Sequence, residues 1–187
     1  RLYDTILTMT KVSFFTLGCR VNQAETAVLE DVFRQKGFCL VNSGAAMDIA
    51  VINSCTVTGE SDHEARRIMK RVRELNKDVR IAVIGCQAQV QKHEILEMPN
   101  VSWVVGNAHK MHLADIILED RGVARRLIVP SIRKFPFTMP VVKARGRRTR
   151  AHVKIQDGCD NFCAYCEVPF ARGGPRSRVF DDLVRAT

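Results

Sequence analysis

The chain has 187 residues, of which 46% are hydrophobic and 26% are charged, a globular composition that excludes collagen-like and intrinsically disordered chains. No apolar run approaches the roughly 20 residues that cross a bilayer, and the N-terminus lacks the apolar core of a secretory signal, so we expect neither. The formal net charge of +9 is compatible with an anionic partner such as nucleic acid but does not establish one.

Strand and helix patterns alternate along the first two thirds of the chain. Short apolar runs predict strands at 11–17, 48–53, 80–84 and 101–105, and helical spacing predicts helices at 24–36, 61–75, 87–98 and 109–120. The helix at 61–75 has the clearest signal, because Ser61 and Glu64 form a capping-box pattern at its start. Trp103 lies in an apolar strand and is assigned to the core. This alternation predicts βαβ units and a parallel, Rossmann-like sheet.

Prolines and basic residues interrupt the alternation between residues 130 and 150. We interpret this stretch as an interdomain linker, which divides the chain into an N-terminal domain at 11–129, a basic linker at 130–150 and the start of a further domain at 151–187. A strand at 151–156 is expected to open that last domain, and a helix near 179–186 follows.

Three of the seven cysteines, Cys19, Cys55 and Cys86, each follow a predicted strand after one small residue. The carboxyl ends of parallel strands share one edge of a sheet, so these three thiols should converge there. Following helices favour the thiolate form that a metal needs. A single cysteine at a strand end is usually a small buried hydrophobe, but three at the same position favour shared metal ligation. Cys39 has no such setting and is assigned to packing.

The other three cysteines, Cys159, Cys163 and Cys166, are spaced C-x3-C-x2-C. Structural zinc takes four ligands, so a zinc site here would need His152 or a distant residue. A fully ligated 4Fe–4S cluster also takes four thiolates. Three thiolates leave one iron open, where a small molecule can bind.

The motifs around these cysteines resemble the radical S-adenosylmethionine (radical SAM) methylthiotransferase family. They are "TLGCRVNQAET", "INSCTVT", "IGCQAQ" and "KIQDGCDNFCAYC…VPFARG…RSR", and the similarity extends from Lys11 over nearly the whole chain. The motifs "LGCRVNQ" and "VKIQDGC" most resemble those of the branch that modifies threonylcarbamoyladenosine beside the tRNA anticodon. Related branches act on isopentenyladenosine in tRNA or on an aspartate of a ribosomal protein.

The resemblance implies two 4Fe–4S clusters with different roles. The catalytic cluster would be held by Cys159, Cys163 and Cys166, with Tyr165 beside the SAM that the cluster binds and cleaves to a 5′-deoxyadenosyl radical. The auxiliary cluster would be held by the other trio, Cys19, Cys55 and Cys86. The radical would remove hydrogen from carbon 2 of the adenine, and a methylthio group delivered from the auxiliary cluster would replace it.

The resemblance also implies the fold and the partners. The N-terminal methylthiotransferase domain would be followed by the first βα unit of a truncated radical SAM partial TIM barrel, so we expect this chain alone to be inactive in methylthiolation. The tRNA anticodon stem-loop would be the substrate, a flavodoxin or ferredoxin the electron donor, and the cytoplasm the location.

Some residues leave alternatives open. Arg172, Arg176 and Arg178 are expected to contact RNA phosphates, although the latter two could instead pack against the barrel's opening helix. Glu167, Phe170 and Ala24 depart from the family pattern, which weakens the choice of substrate. A non-catalytic iron–sulfur electron carrier and a zinc-stabilised nucleic-acid-binding module remain alternatives to the enzyme.

Overall fold

The structure is a computed structural model that describes residues 9–55, 59–120, 125–132, 135–137, 139–140 and 152–186. The strands of the described residues are β1 (Lys11–Thr16), β2 (Cys39–Leu40), β3 (Ile49–Ser54), β4 (Arg80–Gly85), β5 (Val101–Val105), β6 (Arg126–Ile128), β7 (Gln156–Asp157) and β8 (Arg176–Ser177). The helices of the same residues are α1 (Arg20–Gln35), α2 (Gly59–Leu75), α3 (Cys86–Val90), α4 (Lys92–Leu96), α5 (Leu113–Leu118), α6 (Val168–Arg172) and α7 (Phe180–Ala186). None of these helices is long and apolar enough to cross a bilayer.

Six of these strands form one parallel sheet in the order β2-β1-β3-β4-β5-β6. The predicted α/β class with a parallel sheet is therefore confirmed. The edge strands β2 and β6 were not predicted, since they are two and three residues long and carry no periodic pattern. The central strands β1, β3 and β4 are neighbours, which decides where the cysteines that follow them lie.

Side chains of the sheet alternate between two apolar layers. On β3, Ile49 and Val51 face one core cluster, whereas Ala50 and Ile52 face the other. Helices α1 and α5 cover the first cluster, and α2, α3 and α4 cover the second. Trp103 on β5 is fully buried in the first cluster, as predicted. A sheet covered on both faces requires continuous apolar strands, which is why these strands show no polar alternation.

Helix boundaries differ from the predicted ones at several points. Helix α1 begins at Arg20, four residues before the predicted start, because Cys19 already acts as its extended N-cap residue. Helix α2 begins at Gly59 rather than at Ser61, so the proposed capping box does not lie at the helix start. The predicted helix after Gln87 is divided into α3 and α4, and the next begins as a 3₁₀ turn at Lys110–His112 before α5.

The segment after residue 150 contains two short strands, β7 and β8. The strand predicted at 151–156 is the two-residue β7, which pairs antiparallel with β8. The chain reverses between them: Gly158 has a φ of 79°, and a β-carbon there would lie 2.1 Å from the carbonyl oxygen of Gly174. The predicted last helix is present as α7. The basic residues of the predicted linker, at 143–150, lie outside the described residues.

Candidate metal centre

The three strand-end cysteines lie at one edge of the sheet. Cys55 directly follows β3, and Cys86 directly follows β4 as the first residue of α3. Cys19 is three residues beyond the end of β1 and caps α1. Because β1, β3 and β4 are adjacent and parallel, all three thiols stand at the carboxyl edge. Cys55 and Cys86 are buried, whereas Cys19 is exposed.

The small residues that precede these cysteines allow the strand ends to approach one another closely. Gly18 has a φ of 98°, and a β-carbon there would lie 2.3 Å from Cβ of Cys55 and 3.0 Å from its Sγ. Gly85 has a φ of 95°, and a β-carbon there would lie 2.5 Å from the carbonyl oxygen of Ser54. Any larger residue would therefore push the three strand ends apart.

The donor set at this edge fits an iron–sulfur cluster by its chemistry, since thiolates are the usual protein ligands of such clusters. Among the described residues, no group of three or more His, Cys, Asp or Glu side chains is close enough together to hold a single metal ion. A 4Fe–4S cluster is bulkier than one ion, so the thiolates around it stand farther apart than the ligands of a zinc ion.

The second trio lies in the loop between β7 and α6. The backbone N–H of Cys159 donates to the carbonyl oxygen of Gly173 at 2.9 Å, and that of Cys166 donates to Cys163 at 2.9 Å, which closes a turn. Cys163 is exposed and the other two thiols are half-buried. Tyr165 is 91% exposed, so its side chain is accessible to a bound molecule but makes no packed site by itself.

A cluster of buried charged side chains joins this loop segment to the N-terminal domain. We call Glu25, Lys110, Lys154, Asp157 and Arg172 the Glu25 cluster. Oε2 of the fully buried Glu25 lies 2.5 Å from Nζ of Lys110. Its Oε1 accepts from Nζ of Lys154 at 2.6 Å and from Nη1 of Arg172 at 3.0 Å. Both of these cations also contact Asp157, at 2.7 and 2.8 Å.

The electrostatics of the Glu25 cluster follow from burial and from its unequal charges. Burial alone would raise the pKa of Glu25, but Lys110, Arg172 and Lys154 together hold it well below its ordinary value. Burial lowers the pKa of Lys110 to about 8, although Glu25 opposes this shift. Arg176 also lies 3.5 Å from Asp157, so four cations contact two carboxylates and leave a surplus of two positive charges.

That surplus lies near the sheet edge that carries the cysteines. Burial raises the pKa of the Cys86 thiol, and the charges of Arg172 and Lys110 act in the opposite direction. Positive charge beside a buried sulfur favours the thiolate that a metal requires.

The three arginines expected to contact RNA are engaged within the chain. Arg172 is buried in the Glu25 cluster, where its Nη2 also donates to Oδ1 of Asn22 at 2.7 Å. Arg176 donates to the carbonyl oxygens of Phe135 and Arg172, and the buried Arg178 donates to that of Pro140. Internal bonds therefore occupy these guanidinium groups, and contact with RNA at the three arginines stays a prediction.

Sequence reasoning missed Glu25, Lys110 and Lys154. One signal was available for Glu25, since it lies three and four residues before Val28 and Leu29 and therefore on the buried face of α1. A charge on an apolar face needs a buried partner, but the pattern does not say which residue supplies it.

Comparison with models of known protein families assigns this α/β chain to a family. The family model described as "Uncharacterized protein family UPF0004" matches residues 11–106, more than half of the chain. The match runs from β1 to just past β5 and includes the three strand-end cysteines. The chain belongs to this family.

Curated relatives connect the family to an activity. The chain is 37% identical to the threonylcarbamoyladenosine tRNA methylthiotransferase MtaB of Bacillus subtilis (strain 168), over 95% of this chain and 40% of the relative. It is 35% identical to the MtaB of Aquifex aeolicus (strain VF5), over 93% and 43%. It is 29% identical to the tRNA-2-methylthio-N(6)-dimethylallyladenosine synthase of Ehrlichia canis (strain Jake), over 89% and 39%. The resemblance to the methylthiotransferase family is thus confirmed, and the chain spans about 40% of the length of the first of these relatives.

Proposed function

We propose that this chain carries both cluster-binding regions of a radical SAM tRNA methylthiotransferase that modifies carbon 2 of threonylcarbamoyladenosine next to the anticodon. The observation that carries this proposal is the placement of Cys19, Cys55 and Cys86 at the ends of three adjacent parallel strands. Support comes from the segment with the second cysteine trio, which packs on the same edge through Arg172 and the carbonyl oxygen of Ala171.

The two trios would hold different clusters on this proposal. Cys159, Cys163 and Cys166 would hold the catalytic 4Fe–4S cluster, and the strand-end trio would hold the auxiliary one. When bound, the two clusters and SAM supply the radical chemistry and the sulfur that place a methylthio group on the adenine. The protein must position these groups and control access to them.

The chain's own residues position these groups and control access to them. The loop of the second trio is exposed, so SAM and the nucleoside can reach its thiols, and Tyr165 lies within that loop. Cys55 and Cys86 are buried, which keeps water away from that side of the strand-end site. The Glu25 cluster fixes α6 against the N-terminal domain, and with it the orientation of one trio relative to the other.

The substrate proposal rests on the relatives. Relatives named for threonylcarbamoyladenosine are 34–37% identical, whereas the dimethylallyladenosine synthases are 28–30% identical. We place the tRNA anticodon stem-loop as the binding partner, a flavodoxin or ferredoxin as the electron donor, and the cytoplasm as the location. The domain division at residues 130–150 belongs to the same proposal, as does the inactivity of these 187 residues alone.

The test uses the complete protein, reconstituted anaerobically with iron and sulfide and supplied with SAM, a reductant and tRNA. Mass spectrometry of nucleosides after digestion is expected to show a methylthio group on threonylcarbamoyladenosine and none on isopentenyladenosine. Cys86→Ala is the matched control, which should still form 5′-deoxyadenosine but transfer no methylthio group. Modification of isopentenyladenosine alone would overturn the substrate, and modification of neither nucleoside would overturn the activity.

A further inference from the structure

Asn107 lies at the same carboxyl edge as the strand-end cysteines, two residues after β5 ends at Val105. Its side chain is buried and makes three contacts. Oδ1 accepts from Nζ of Lys110 at 2.7 Å, and Nδ2 donates to the carbonyl oxygen of Ala171 at 2.7 Å. Nδ2 also lies 3.8 Å from Sγ of Cys86, within the range of an N–H···S hydrogen bond.

The orientation of this amide is determined by its neighbours. The ammonium group of Lys110 has donors only, so it must face the oxygen of the Asn107 amide rather than its nitrogen. Lys110 is itself held by Glu25 at 2.5 Å. The carbonyl of Ala171 accepts only and must face the nitrogen. Two independent partners therefore direct the N–H group to the side where Cys86 lies.

A donor aimed at a ligating sulfur has two consequences. It holds the thiolate in one orientation, as outer-shell partners of metal ligands commonly do. It also stabilises negative charge on the sulfur, and hydrogen bonds to the sulfurs are one of the factors that set the potential of an iron–sulfur cluster. The more reduced cluster carries more negative charge, so such a bond raises the reduction potential.

We propose that Asn107 is a positioning residue for Cys86 that raises the reduction potential of the auxiliary cluster through its N–H···S bond. This inference rests on the proposed assignment of that cluster to the strand-end trio. Asn107 also links the site to the other trio, because Ala171 precedes Arg172 in α6. The same amide nitrogen therefore contacts both the sulfur of Cys86 and the segment that carries the second trio.

The experiment isolates one cluster and measures its potential. The complete chain carries Cys159→Ala, Cys163→Ala and Cys166→Ala, so only the auxiliary cluster remains after anaerobic reconstitution. Iron content and the midpoint potential, from a redox titration followed by electron paramagnetic resonance, are compared for Asn107, N107L and N107D. Leucine is close in size but lacks the donor, whereas aspartate keeps an acceptor for Lys110 and replaces the donor with an oxygen.

Asn76 supplies the matched control. It lies at the opposite edge of the sheet, where its Nδ2 donates to the carbonyl oxygen of Met47 at 2.8 Å, far along the strands from the cysteines. N76L therefore removes this side-chain hydrogen bond without changing a contact of any cysteine. Its melting temperature should fall while the potential of the cluster stays unchanged.

The expected result is a shift to a more negative potential in N107L and a larger shift in N107D, with about four irons per chain retained. Loss of iron from folded N107L, when N76L keeps its iron, also supports the positioning role. An unchanged potential at full iron content in both Asn107 variants overturns it. Absence of iron from the parent chain itself, with Asn107 intact, overturns the auxiliary-cluster assignment, and the two failures are thereby distinguished.

Discussion

Replacing Glu25 with glutamine is expected to destabilise the protein far more than replacing an exposed carboxylate. Glutamine has nearly the same shape but no charge, so the positive surplus in and around the Glu25 cluster rises by one charge. Removing one partner of a buried ion pair costs about 3–5 kcal/mol, because the remaining charges stay buried without compensation. For a chain of this size that lowers the melting temperature by about 10 °C.

Asp115 provides the control for this prediction. It forms a salt bridge of 2.7 Å with Lys36, but the two side chains are 42% and 44% exposed. Exposed pairs of this kind contribute about 0–1 kcal/mol, so D115N should change the melting temperature little. Urea unfolding of the two variants and the parent measures the difference. Equal stability of E25Q and D115N would refute the account of the Glu25 cluster.

The pH dependence of E25Q gives a second readout of the same reasoning. Burial already lowers the pKa of Lys110 to about 8, and loss of the neighbouring carboxylate lowers it further. The unfolded chain then binds more protons than the native one, so the stability of the variant rises with pH. The deficit of E25Q relative to the parent should shrink as the pH rises toward about 8, where only the variant's Lys110 loses its proton, and should stay constant above it. A deficit that stays constant over this range would mean that Lys110 does not lose its proton.

Three further predictions concern acid stability, backbone space and thiol reactivity. Cations hold the pKa of Glu25 below its ordinary value of 4.5, so the stability that this carboxylate contributes is present above pH 4.5 and is lost progressively below it. Unfolding curves that do not change below pH 4.5 would contradict this. Gly18→Ala should lower the stability in urea unfolding more than Gly37→Ala does. Both glycines have a positive φ, but of the two only Gly18 has atoms within 4 Å of the added carbon. Equal losses of stability in the two variants would count against the close approach of Gly18 to Cys55. In the iron-free protein, exposed Cys163 should react with a thiol reagent well before Cys86, which is buried and has a raised pKa; simultaneous modification would disagree with the burial.

Much of the sheet could be predicted from the sequence, because buried parallel strands are short apolar runs bounded by turns. Strand β5 at Val101–Val105 agrees with its prediction at both ends. The placement of Cys55 and Cys86 followed from the strand ends alone, since parallel strands share an edge. Edge strands such as β2 could not be found, because two residues carry no periodicity.

The Glu25 cluster lay beyond sequence reasoning for a different reason. Its ion pairs join residues up to 147 positions apart, and no local pattern predicts which distant charge compensates a buried one. The burial of Arg172 could not be predicted for the same reason. A basic residue after a cysteine motif suggests a surface contact, whereas its burial depends on the carboxylate that α1 brings to the same place.

Iron and sulfide analysis of the complete, anaerobically reconstituted protein tests the central claim most directly, namely that the two cysteine trios hold separate clusters. The parent should contain roughly eight irons and eight sulfides per chain, and conversion of either trio to alanine should leave roughly four of each. Zinc in place of iron, or full iron retention after the loss of Cys19, Cys55 and Cys86, would contradict it.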